Sequence, residues 1–80
     1  MTTEQILEEL TKIFIEVLED EDIVISETTT SDDVDDWDSL SHIHLVVTIE
    51  KHFKLRFTSQ EIQSWNNVGE MILNIQEKGI

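Results

Sequence analysis

The stretch WDSLSHIHLVVTIEKHF, Trp37 to Phe53, decides the fold. Asp38 and Ser39 carry short side chains that accept hydrogen bonds from the free N–H groups of a first helical turn. A helix from about Ser39 to Phe53 is predicted, with Asp38 or Ser39 as its N-cap. At about 100° per residue, Ser41, His44, Thr48, Lys51 and His52 share one polar arc, and Leu40, Ile43, Leu45, Val46, Val47, Ile49 and Phe53 fill the remainder. A helix apolar around most of its girth is either packed on two sides or keeps an apolar strip for a ligand or partner.

Downstream, Leu55 and Phe57 alternate with Lys54 and Arg56, the pattern of a brief extended link. Thr58 and Glu61 then form a capping-box pair ahead of a short helix to about Trp65. Asn67 caps a last helix with Val68, Met71, Ile72 and Ile75 as its buried stripe, and Lys78-Gly79 signals its end. Upstream, Ile6, Leu7, Leu10, Ile13, Phe14, Val17 and Leu18 trace one face of a helix from Thr2 to about Glu19, with Thr2 and Gln5 able to cap it and Ile15 off the stripe. Residues 20–38 show no period and make an unusually long connection. Ile23, Val24, Ile25, Val34 and Trp37 are the anchors available to pin it, and it has room for a short helical turn near Asp20 to Val24. The expected fold is all-α: a four-helix bundle with three longer helices, a short third helix and a long loop between helices 1 and 2. Eighty residues make a single domain, 1–80, with a small core.

The chain carries 18 acids against 5 bases, a net charge of −13, which disfavours nucleic acid and anionic membranes and favours basic partners. Residues 1–41 hold 14 of the acids and one base, Lys12, yet they also hold the apolar stripe of the first helix, which sets them apart from a disordered acidic tail. With no cysteine, disulfides and thiolate metal sites are excluded, and thioester chemistry would need sulfur from an attached group. Met1 leads into Thr2-Thr3-Glu4-Gln5 with no basic segment or long apolar run, so a cytoplasmic location is expected.

Asp32, Asp33, Asp35, Asp36 and Asp38 lack the glycine and glutamate of a calcium loop and read as a solvated acidic run. His42 and His44 would point about 200° apart on a helix and cannot share a metal; they and His52 read as surface histidines. Asp38, Ser39 and His42 contain the residue types of a hydrolytic triad, but no nucleophile elbow accompanies them. On Asp38-Ser39 alone, a helix cap is the plainer reading. The rival to any covalent role is an acidic helical adaptor that binds a basic protein and bears no prosthetic group.

The wider string resembles the acyl carrier protein superfamily, which includes the carrier domains of fatty acid, polyketide and peptide synthases. The resemblance rests on Asp38-Ser39-Leu40, on Ile43, Leu45 and Val46, on Glu50 to Phe53, and on Glu61-Ile62 and Val68. It implies a non-catalytic carrier in which a phosphopantetheinyl transferase moves 4′-phosphopantetheine from coenzyme A onto Ser39, whose arm then holds acyl groups as thioesters. The helix start suits a phosphodiester, because free N–H groups and the positive end of the macrodipole would lie beside it. The resemblance further implies an acyl-loading ligase or acyltransferase and a downstream synthase or transferase as partners of a monomeric protein, with no metal.

The chain departs from the family pattern at Ser41 and His44, and Glu50 is its only acid between Ser39 and Gln60. Partners are therefore expected to read Asp35, Asp36 and Asp38 with Leu40 and Val47, and the departures point to a dedicated pathway rather than general fatty acid synthesis. His44 and His52 are candidates for making docking depend on pH.

Overall fold

The computed structural model describes residues 1–79 as four helices: α1 (Thr3–Leu18), α2 (Ser39–Phe53), α3 (Ser59–Ser64) and α4 (Val68–Glu77), with no strand among them. Each start is signed by a side chain. In α1 the Thr2 hydroxyl accepts from the Gln5 N–H at 3.2 Å while the Gln5 side chain accepts from the Thr2 N–H at 2.9 Å. Thr58 and Glu61 repeat that reciprocal pair at α3, and Asn67 accepts the Glu70 N–H at α4.

The interior is one apolar cluster. Ile6, Leu10 and Phe14 from α1, Leu45 and Ile49 from α2, and Val68, Met71, Ile72 and Ile75 from α4 are its most deeply buried side chains. Each such side chain stabilises the fold by about 1.5–3 kcal/mol relative to an exposed position. α1 lies mainly on α2 and to a smaller extent on α4. Short α3 adds no fully buried side chain, and polar contacts hold it instead. The Glu61 carboxylate receives the Asn74 amide at 2.7 Å and the Lys78 ammonium at 3.0 Å, and Asn74 in turn accepts the Trp65 indole N–H at 3.1 Å. These bonds hold the Glu61 carboxyl down at about 2, with the Asn74 amide as the largest cause.

The long loop is anchored differently from expectation at two points. Ile23 and Ile25 are buried, but Val24 between them is 87% exposed, because side chains of an extended segment alternate in direction. The loop's helical turn lies at Ser31–Asp33, where the Asp33 carboxylate accepts the Thr30 N–H at 3.0 Å, whereas Asp20 to Ile23 forms only a tight turn. Two backbone bonds tie the loop to α4: the N–H groups of Val68 and Gly69 donate to the carbonyls of Thr29 at 2.9 Å and Glu27 at 2.7 Å. With Asn67, the loop thus satisfies the first three donors of α4. A Cβ on Gly69 would stand 2.8 Å from the Glu27 carbonyl oxygen, so this approach requires glycine.

Candidate functional site at the start of α2

The first turn of α2 is closed by Asp38. Its Oδ1 accepts the N–H of Leu40 at 3.0 Å and of Ser41 at 2.9 Å. The Ser41 hydroxyl accepts the Asp38 N–H at 2.8 Å and donates to the Asp36 carbonyl at 2.8 Å. The Ser41 N–H, above all, holds the Asp38 carboxyl below its ordinary value, so it stays ionised and the cap stays made. Asp38 is therefore the N-cap and Ser39 the first helical residue.

Ser39 is exposed, and its hydroxyl makes no hydrogen bond among the described residues. The supply of free N–H groups is smaller than the sequence implied. Asp38 already holds those of Leu40 and Ser41, which leaves the N–H of Ser39 itself at the positive helix end.

Behind the serine, Trp37 is buried and meets the Phe14 ring edge-on at 4.9 Å. Its indole N–H donates to Nδ1 of His42 at 3.0 Å. An imidazole nitrogen that accepts carries a lone pair, so His42 is neutral with its proton on Nε2. Partial burial lowers its pKa, against a weaker upward pull from the Ile62 backbone. The rings continue outward: His42 stacks on Trp37 and meets Trp65 edge-on, each at 6.0 Å, and Trp65 meets Phe57 edge-on at 4.8 Å.

The surface reading is thus overturned for His42, whose ring completes an aromatic wall. His44 and His52 are exposed, and His52 Nε2 reaches Glu9 of α1 at 3.0 Å. The triad of residue types does not assemble either. His42 Nδ1 is engaged by Trp37 and the Asp38 carboxylate by the helix N–H groups, so neither is free to activate Ser39.

A cleft of ≈ 680 Å³ opens beside Ser39, walled by Trp37, His42, Ile43, Trp65, Asn66 and Asn67. Nothing local marks His42 and Trp65 as its walls, because the contacts cross from loop to α2 to the α3–α4 link. The apolar girth of α2 proves to serve both ends left open above. Leu45, Val46, Ile49 and Phe53 are buried, whereas Leu40, Ile43 and Val47 are 81%, 63% and 41% exposed and form one strip running from Ser39. Asp35 and Asp36 stand exposed just ahead of it.

The family described as phosphopantetheine attachment site matches residues 8–75. No curated protein matches the sequence. Among solved structures, the solution NMR structure of holo acyl carrier protein from Geobacter metallireducens is similar, at 42% identity over 90% of this chain and 83% of that one, with a TM-score of 0.84.

Proposed function

The chain belongs to the phosphopantetheine attachment site family, as a non-catalytic carrier, and from that membership we propose that Ser39 is its attachment point. One observation supports this most: in a turn where the Asp38 and Ser41 side chains are bonded into the cap, the Ser39 hydroxyl is exposed and makes no hydrogen bond among the described residues. The residues fit the group. A phosphodiester on Ser39 Oγ would lie by the Ser39 N–H at the positive end of α2, an interaction worth about 0.3–1 kcal/mol when exposed. Leu40 and Ile43 flank the position with apolar surface, and the cleft beside it is large enough to receive part of a flexible arm. When bound, 4′-phosphopantetheine supplies the terminal thiol that this cysteine-free chain lacks, and with it the capacity to hold an acyl group as a thioester.

The finer reading is a monomeric, single-domain, cytoplasmic carrier dedicated to one biosynthetic pathway. Its partners are a phosphopantetheinyl transferase, a loading ligase or acyltransferase, and a downstream synthase or transferase. What favours dedication is the surface of α2, where other residues take the place of a row of acids. Basic partners would meet the chain at Asp35 and Asp36 and along Leu40 and Val47. Asp38 would add charge but keep its Oδ1 in the cap.

Incubation with coenzyme A, magnesium and a broad-specificity phosphopantetheinyl transferase, followed by intact-mass measurement, tests the attachment. One phosphopantetheine is expected on the wild type and none on Ser39→Ala. An unchanged wild-type mass, or an Ser39→Ala variant still modified, refutes the assignment. The first of these outcomes would favour an adaptor without a prosthetic group.

A further inference from the structure

At the opposite end of α2 the electrostatics reverse. Of the five cations, Lys12 pairs with Glu9 and Lys78 with Glu61. The other three, Lys51, Lys54 and Arg56, are exposed, make no ion pair among the described residues, and line one cleft of ≈ 530 Å³. Val47 and Leu55 give that cleft apolar surface. Glu50 also lines it, but its Oε2 accepts the Phe57 N–H at 2.9 Å, which turns the carboxylate toward the backbone.

In a chain of 18 acids, three unpaired cations converging on one cleft call for a cause. The helix dipole accounts for Lys51, which lies in the last turn of α2. It does not account for Arg56, which lies beyond the helix. Nor does local folding select Lys54, which sits at φ 56°, a left-handed conformation that costs a residue with a Cβ about 1–2 kcal/mol and suits glycine. At 1.5 Å per residue, Lys51 and the C-cap Lys54 stand about 18 and about 22 Å along the helix from Ser39, and Arg56 follows beyond its end, so the three do not belong to the serine's own surroundings.

We propose that this cleft is a docking site for an acidic segment of a protein partner, one that offers carboxylates to Lys51, Lys54 and Arg56 around an apolar side chain seated on Val47 and Leu55. Charge complementarity selects the occupant. The net charge of −13 repels an extended polyanion such as nucleic acid at long range, while a short acidic segment meets only the basic corner within a Debye length of about 10 Å. Val47 also ends the exposed strip that begins beside Ser39. A partner spanning α2 would therefore present basic groups to the loop acids, apolar groups to the strip and carboxylates to this cleft. The site itself does not depend on whether Ser39 carries a group.

The test is a titration of the isotopically labelled full chain with an acetylated, amidated dodecapeptide of glutamate and leucine, followed by amide chemical shifts. Saturable shifts are expected at Val47, Lys51, Lys54, Leu55 and Arg56. The dissociation constant should rise about tenfold or more in the combined Lys51→Glu, Lys54→Glu and Arg56→Glu variant, and also when salt is raised several-fold. The corresponding glutamine triple variant, with helicity checked by circular dichroism, gives the same reading should charge reversal disturb the fold. No saturable shift in the wild type, shifts centred elsewhere, or full binding by the charge-neutral variant would each overturn the proposal. So would equal binding by the peptide with glutamine for glutamate, or tighter binding by a short single-stranded oligonucleotide. Phosphopantetheinylation of the same variants, read by intact mass, reports separately on Ser39, so the two readings can fail independently.

Discussion

The two ends of α2 are built on opposite plans. At the N-terminal end the backbone and side-chain groups around Ser39 are tied down: Asp38 caps two N–H groups, Ser41 reaches back to Asp36, and Trp37 is buried with its N–H on His42. At the C-terminal end the chain leaves through a left-handed lysine, and three cations stand open around half-exposed apolar surface. A covalent attachment point gains from a fixed position, since whatever acts on it must find one hydroxyl. A charged docking edge gains from long, mobile side chains that can adjust to a partner, and its attraction reaches beyond contact distance.

The largest way to break that contrast is to remove what holds the N-terminal end. Trp37→Ala deletes a buried ring that packs on Phe14 and is expected to cost about 3–5 kcal/mol, measured by urea denaturation. Trp37→Phe keeps an aromatic ring but leaves Nδ1 of His42 without its donor, and a loss nearer 1 kcal/mol is expected. Equal losses in the two variants would show that the hydrogen bond, not the packing, carries the anchor.

A smaller effect is expected at Gly69, where the loop is clamped to α4. Gly69→Ala places a methyl group 2.8 Å from the Glu27 carbonyl oxygen, and the clamp must open or shift. A loss of about 1–3 kcal/mol is expected, with amide shifts concentrated in the loop and the start of α4 and little change near Lys54. Shifts reaching Lys54 and Arg56 would show that the two ends of α2 are not independent.

Trp37 and Gly69 lie on opposite sides of the line between what the sequence made readable and what it did not. The extent of α2 follows from Asp38-Ser39 and its apolar arc, and the buried stripe of α4 from Val68, Met71, Ile72 and Ile75, because caps and periodicity are local signals. Ser39 stood out because a resemblance covered the residues around it. The side-chain period of 2 in an extended segment, which puts Val24 outside, shows only once the segment is known to be extended. Gly69 and His42 had no local mark at all. One is fixed by a carbonyl 42 residues earlier in the chain, the other by an indole from the loop and a tryptophan beyond α3. The basic residues Lys51, Lys54 and Arg56 were visible individually, but their convergence on one cleft depends on how the chain leaves α2.

At the C-terminal end the expected effect is smaller and opposite in sign. Lys54→Gly relieves the left-handed strain and should stabilise the fold by about 1 kcal/mol in the same denaturation experiment. It should also weaken binding of the acidic peptide, since one of the three cations is gone. A variant that is more stable yet binds less well is what a residue retained for docking predicts. A gain in stability with unchanged binding would leave Lys51 and Arg56 as the only working cations.

The smallest effect distinguishes the two ends by pH. His42 is neutral in the fold and its pKa lies below the ordinary 6.5, so the folded chain binds fewer protons than the unfolded one as the solution is acidified. Its contribution is fully present above about pH 6.5 and declines as pH falls towards the folded value. Glu61 and Asp38 are depressed as well, but Glu61 loses its contribution only between 4.5 and about 2, and Asp38 only below 3.8. Between about pH 6.5 and 4.5, His42 is therefore the depressed group that titrates. Protonating acids elsewhere relieves self-repulsion in this −13 chain and works the other way, but it does so equally in a variant. His42→Gln can still accept the indole N–H and cannot titrate, so the stability of wild type minus variant should fall with acidification across that window. The Trp37 indole N–H resonance should shift where the folded chain takes up that proton, below pH 6.5, because a protonated Nδ1 can no longer accept its hydrogen bond. Any pH dependence of the amides around Lys54, with His52 close by, should be the same in His42→Gln as in the wild type. A difference between the two would mean that protonation at the serine end is felt at the cationic end, and that α2 couples its two surfaces rather than keeping them apart.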